Sequence, residues 1–185
     1  MKTKTAILGV LLLAILSITS CKNNEVIEQP ANLDEMRAED KLLISGHDLD
    51  SGEIVGLSML EGKEINIISI WQPNCPPCEI ELKAMDSIYK ENEDVGFIGI
   101  SVGDNSEIIK DTLNDWEITF SNYRISDDFF NSILSRVNRT PTVFFVDGEG
   151  YEIMDMQVGL GVEGLDVENV KVHLNKIIEE LRDEK

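Results

Sequence analysis

Past residue 40 the apolar positions switch repeatedly between runs that suit extended backbone and stripes spaced three and four apart, which suit helices with one covered face. Leu42–Ile44 and Ile54–Leu57, on either side of the turn-rich Gly46-His47-Asp48-Leu49-Asp50-Ser51-Gly52, predict an amino-terminal hairpin. Ile65–Ile70 is apolar and β-branched almost throughout, the composition of a strand covered on both faces. Glu79–Asn92 then carries Ile80, Leu82, Met85, Ile88 and Tyr89 along one helical stripe, and Val95–Ile100 predicts the next strand. Ser106 caps a helix that buries Ile109, Leu113 and Trp116. Ser126 caps another that carries Phe129, Phe130, Ile133, Leu134 and Val137, and both phenylalanines are assigned to packing. Thr142–Val146 and Glu152–Val158 flank Asp147-Gly148-Glu149-Gly150, a hairpin turn by composition. Asp166 caps a last helix, about Val167–Leu181, which turns Val170, Leu174, Ile177 and Leu181 inward. Strands alternating with helices predict an α/β fold.

The first 40 residues follow a different pattern. Lys2 and Lys4 precede an apolar run from Ala6 to Leu16, continued by Ile18 and closed by Ser20-Cys21, which is the pattern of a secretory signal. A spanning helix needs about 20 apolar residues, so the run is too short to serve as the anchor itself. Ile18-Thr19-Ser20-Cys21 resembles a bacterial lipobox, in which cleavage before the cysteine exposes it for acylation. This predicts a signal peptide at 1–20, lipidation of Cys21, a polar linker at 21–40 that reaches at most about 60 Å, and one folded domain at 41–185. The three cysteines agree: with Cys21 acylated, Cys75 and Cys78 form the one remaining pair, whereas a soluble secreted form would carry an odd thiol.

Loss of Lys2 and Lys4 with the signal takes the formal charge from −19 to −21. Such a field repels phosphate backbones and anionic headgroups, so nucleic acid is not an expected partner and membrane contact is expected through the lipid alone.

The chemistry is concentrated in Trp71-Gln72-Pro73-Asn74-Cys75-Pro76-Pro77-Cys78, where a covered strand gives way to a helix. Two cysteines at this spacing serve as a redox pair, as half a zinc site, as a haem attachment or as a structural disulfide. Haem attachment requires histidine directly after the second cysteine, and Glu79 stands there. A zinc site needs about four ligands, and only His47 and His173, both distant in sequence, could add to the pair. A structural disulfide closing so short a loop restricts the unfolded chain little. For redox work, Cys75 at the helix N-cap puts both sulfurs on the first turn. There the helix amino terminus favours the Cys75 thiolate as attacker, and Cys78, one turn inward, resolves the mixed disulfide. Pro76 and Pro77 donate no amide hydrogen, so the thiolate is expected to gain only moderate support and the couple to lie at the reducing end of the scale, near about −270 mV.

These residues resemble the thioredoxin superfamily, and within it the TlpA/ResA-like thiol–disulfide oxidoreductases of the bacterial envelope. The likeness rests on the Gly62-Lys63 turn, Ile70-Trp71 ahead of Cys75, the Cys-Pro-Pro-Cys turn, Glu81, and Thr140-Pro141-Thr142 opening a late strand. It implies a thioredoxin fold, a central mixed sheet flanked by helices with an added amino-terminal hairpin, and a redox-active disulfide between Cys75 and Cys78. It further implies a cis Pro141 beside the cysteines, with Trp71, Pro76, Thr140 and Pro141 meeting an extended substrate segment, and Gly159 near that groove. Glu81 matches a family acid next to the redox site. Many thioredoxins place a buried acid six residues before the first cysteine, where this chain has Ser69, so Glu81 is expected to take the proton from Cys78. A second departure is Asn74, where many relatives have tryptophan.

The expected partners are thiols and disulfides of envelope proteins and an upstream thiol reductant, with no cofactor. Two rival functions use the same cysteines. A thiol peroxidase is expected to place threonine three residues before its reactive cysteine, where Gln72 stands; a lipoprotein handling copper or zinc would use both sulfurs as soft ligands.

Overall fold

The computed structural model describes residues 41–60, 62–161 and 166–183. The expected signal peptide, the acylated Cys21 and the linker at 21–40 lie outside these residues. In chain order the elements are β1 (Gly46–Asp48), β2 (Ile54–Val55), β3 (Ile65–Trp71), α1 (Pro76–Ile88), β4 (Val95–Ser101), α2 (Ser106–Asp115), β5 (Asn122–Ile125), α3 (Asp127–Ile133), β6 (Thr142–Val146), β7 (Glu152–Val158) and α4 (Val167–Asp183).

All seven strands form one mixed sheet in the order β2-β1-β5-β4-β3-β6-β7. Its inner strand β3 is buried at every position, with β4 parallel on one side and β6 antiparallel on the other. The parallel pair requires a crossover, and α1 supplies it. Period two then sorts β3 by face. Ile65, Ile67 and Trp71 pack with Leu82 and Met85 of α1, Ile109 of α2 and Leu174 of α4. Ile68 and Ile70 pack on the opposite face with Phe129 and Ile133 of α3, together with Leu42, Ile44, Met59 and Leu60. Each fully buried side chain of this size contributes about 1.5–3 kcal/mol, so both faces hold β3, and hence the start of α1, in place.

The amino-terminal hairpin exists, but its strands are not where the apolar residues are. Leu42 and Ile44 are buried, yet the Leu42 amide donates to Gly150 O at 2.9 Å and Lys41 bridges Tyr151, so this segment packs beside the β6–β7 turn. The ladder pairs Gly46 with Val55 and His47 with Ile54, residues partly assigned to the turn from sequence. The reason is Asp48, whose Oδ1 accepts from the Asp50 and Ser51 amides and the Ser51 hydroxyl and so closes a shorter turn. Leu57, expected to end the second strand, begins a 3₁₀ turn through Leu60. β5 has no counterpart among the predicted strands, because Asn122, Tyr123 and Arg124 break the apolar pattern. It is fixed instead by pairing with β4 on one side and β1 on the other.

Three helix predictions also shift. α1 has Cys75 as its N-cap, as expected, but ends at Ile88, short of Asn92. Asn105 rather than Ser106 caps α2, its side chain accepting from the Glu107 and Ile108 amides. α3 ends at Ile133, and only one of its two phenylalanines is core: Phe129 is fully buried, whereas Phe130 is 40% exposed and Leu134 57% exposed.

Candidate active site

The site forms where β3 runs out. Asn74 takes a left-handed conformation, φ 58°, which asparagine tolerates better than most residues, and turns the chain into α1. Cys75 follows as the N-cap in extended backbone, φ −114° and ψ 97°, with prolines at the first helical positions, where a missing amide leaves no hydrogen bond unmade. The first amides that exist fold back on the cap: Cys78 N and Glu79 N donate to Cys75 O at 2.9 and 3.1 Å.

Cys75 and Cys78 are joined by a disulfide, with an S–S distance of 2.08 Å and a Cα separation of 5.2 Å. The two cysteines differ in access, since Cys75 is 7% exposed and Cys78 is fully buried. Beside Cys75 lies the Thr140–Pro141 peptide, which is cis. Cys75 Sγ is 3.9 Å from Thr140 O and 3.7 Å from Thr140 Oγ1. A bridged sulfur has no proton to give, so of these two contacts only the threonine hydroxyl can donate. Gly159, at φ 63°, donates its amide to Pro141 O at 2.9 Å and so braces the far side of this peptide.

Glu81 sits one turn along α1 from Cys78 and is 1% exposed. Burial pushes its carboxyl up to about 8, while the Ser69 hydroxyl, donating to Oε1 at 2.6 Å, draws it down. The other oxygen, Oε2, is buried with no hydrogen-bond partner among the described residues. The Ser69–Glu81 bond escaped sequence reasoning, although a signal for it was present: a hydroxyl in a doubly covered, mostly apolar strand must find a partner.

Trp71, expected to meet substrate, has no exposed surface. Its ring packs against Trp116 with centroids 5.5 Å apart, and Nε1 donates to Asn122 Oδ1 at 3.0 Å. It therefore supports the site from below. Gly99 makes room for this bond, since a Cβ there would fall 1.8 Å from Asn122 Oδ1. Pro76 and Thr140, by contrast, line an open groove of about 490 Å³ that runs from Cys75 along α3, walled by Phe130, Leu134 and Val137. This wall was also missed. Phe129 and Ile133 form one stripe on α3, while Phe130 and, just past the helix end, Leu134 and Val137 lie beside it, more apolar surface than one covered face of so short a helix can bury.

His47 and His173 are engaged elsewhere, the first with Gly52 O and the second with Gln157 Oε1. Among the described residues no group of three or more His, Cys, Asp or Glu side chains is arranged to hold a metal ion.

With this geometry in hand, comparison with known proteins is informative. The family model described as AhpC/TSA family matches residues 41–151. The thiol-disulfide oxidoreductase ResA of Halalkalibacterium halodurans is 29% identical over 133 residues, which cover 72% of this chain and 66% of the relative. The chain thus spans a little under two thirds of that relative's length. Among solved structures, a secreted disulfide oxidoreductase of Mycobacterium tuberculosis, homologous to E. coli DsbE, superposes with a TM-score of 0.56 at 18% identity, over 73% of this chain and 96% of its own. StoA of Bacillus subtilis superposes with a TM-score of 0.51 at 18% identity, over 72% and 98%. These likenesses bear out the thioredoxin fold and the ResA-like resemblance expected from the sequence.

Proposed function

This chain belongs to the AhpC/TSA family of the thioredoxin superfamily, and from that premise we propose that it is a thiol–disulfide oxidoreductase that exchanges disulfides with protein partners through Cys75 and Cys78. One observation carries the proposal: a slightly exposed cysteine at a helix start is bonded to a buried one, and its sulfur lies against the cis Thr140–Pro141 peptide. In the reduced protein the Cys75 thiolate attacks a partner disulfide, forming a mixed disulfide and releasing one partner sulfur, which takes up a proton. Cys78 then gives its proton to the Glu81 carboxylate and attacks Cys75, releasing the second partner thiol and leaving the Cys75–Cys78 disulfide. Two electrons pass to the partner, and an upstream thiol reductant restores the pair.

Thr140 offers its backbone to an extended substrate segment, Pro76 and Pro141 shape the docking surface, and the groove along Phe130 and Leu134 takes an apolar side chain of that segment. The net direction is reduction, and the protein works in the cell envelope, held by the lipid on Cys21. Two features support this: prolines at the first helical positions withhold amides from Cys75, and the amino-terminal segment has the lipobox pattern.

A Cys78→Ser variant expressed in the native host is expected to accumulate a covalent complex through Cys75, which mass spectrometry identifies. If the reduced domain binds copper or zinc stoichiometrically but leaves insulin disulfides intact, the metal-handling alternative replaces this one. Turnover of peroxide without turnover of insulin would favour the peroxidase instead. Equilibration with glutathione is expected to place the couple near about −270 mV, and a value near about −120 mV would reverse the assigned direction.

A further inference from the structure

Ser69 donates to Glu81 Oε1 at 2.6 Å from the middle of the fully covered β3. Its position is fixed from both sides, since it stands opposite Gly99 of β4 and Val143 of β6, so the hydroxyl cannot shift with its strand. On α1, Glu81 follows Cys78 by three residues, a spacing that brings side chains together on one helix face, with Cβ atoms about 5–6 Å apart. Oε2 meanwhile has no hydrogen-bond partner among the described residues. An unsatisfied buried oxygen costs about 1–3 kcal/mol, which a purely structural carboxylate would recover by pairing.

We propose that Ser69 is a positioning residue for proton transfer: by holding Glu81 Oε1 from the strand, it leaves Oε2 as the oxygen that takes the Cys78 proton. The proposal rests on the assignment of Glu81 as proton acceptor. Ser69 keeps the carboxyl from turning and favours its ionised form, the form that can accept. Both states suit the arrangement, because a proton on Oε2 leaves the Ser69 bond to Oε1 intact.

Among the described residues, burial and the Ser69 hydroxyl are the two influences on the Glu81 carboxyl, and no charged side chain adds to them. On its own helix the neighbouring titratable groups are Cys78, Glu79 and Lys83, and the last two pair with each other at 2.6 Å at the surface. From β3, β6 and α4 the same core receives Ile67, Val143, Phe145, Leu174 and Ile177, all apolar. On α4, His173 bonds Gln157 and Lys176 pairs with Glu180.

The test compares Ser69→Ala and Ser69→Thr with the parent in the full domain. Isotope-edited infrared spectra, referenced to Glu81→Gln, give the pH midpoint of the Glu81 carboxyl in the reduced protein. Stopped-flow kinetics give the rate at which Cys78 releases a peptide held on Cys75. Removing the hydroxyl is expected to raise the midpoint by about one and to slow release at pH 7 by about tenfold, with the rate recovering in alkali. Threonine, which keeps the hydroxyl, is expected to restore both. An unmoved midpoint in the alanine variant overturns the proposal, as does a folded threonine variant with a shifted midpoint. A midpoint that rises while release is unchanged overturns the role of Glu81 itself, and the proposal with it.

Discussion

The two sulfurs of the disulfide face opposite surroundings, and each side inverts the ordinary distribution of residues. Outward from Cys75, where polar groups are expected, the groove presents Phe130, Leu134 and Val137. Inward from Cys78, where apolar groups are expected, the helix buries the carboxyl of Glu81. The strands β3 and β6 behind this disulfide are buried throughout. Both inversions reduce stability, one by leaving apolar surface in water and the other by keeping an ionisable group out of it. That they flank one cysteine pair is the strongest sign that the chain trades stability for chemistry there.

The inner side is the more costly and has the larger expected effect. The folded carboxyl of Glu81 is raised to about 8 from an ordinary value of 4.5. Below pH 4.5 it is protonated in both folded and unfolded chains and contributes no pH dependence. As the pH rises from there to about 8, the unfolded chain releases the proton while the folded chain keeps it, so stability falls across that window and levels off above it. The total is on the order of 5 kcal/mol. Glu81→Gln is expected to flatten this part of the profile and to be more stable than the parent at pH 8, as measured by urea unfolding of the oxidised protein. A parent profile as flat as that of the glutamine variant would mean that the carboxyl is solvated.

How much of this was legible follows the same division. The central strand, the helix that begins at the cysteines and the α/β alternation could be read because burial on both faces leaves a continuous apolar run and burial on one face leaves a stripe. Glu81 stood out through the family resemblance, which implies an acid three residues after the second cysteine. Two things were hidden. β5 owes its existence to partners on both sides rather than to its own composition, so Asn122-Tyr123-Arg124-Ile125 carries no strand signal. The exposure of Phe130 was hidden because hydrophobicity says what a residue would gain by burial, not whether any surface is left to cover it. Trp71 shows the converse: a motif residue expected on the surface is wholly interior.

Adjacent Phe129 and Phe130 test the outer side directly. Phe129 is fully buried in the core beneath α3, and Phe129→Ala is expected to cost about 3–5 kcal/mol, through lost transfer energy and the cavity left behind. Phe130, 40% exposed on the groove, has little packing to lose, so Phe130→Ala is expected to change stability by less than about 1 kcal/mol. Its effect should fall on substrate. A partner segment that covers the ring gains about 1–2 kcal/mol, so the variant is expected to raise KM for a protein disulfide by about 5- to 30-fold. Turnover of a small disulfide such as oxidised glutathione, which has no large apolar side chain to cover the ring, should hardly change. The decisive reading is the ratio between the two substrates. If Phe130→Ala slows both equally, the ring positions the cysteines; if it unfolds the domain as Phe129→Ala does, the ring is core and the groove has no part in docking.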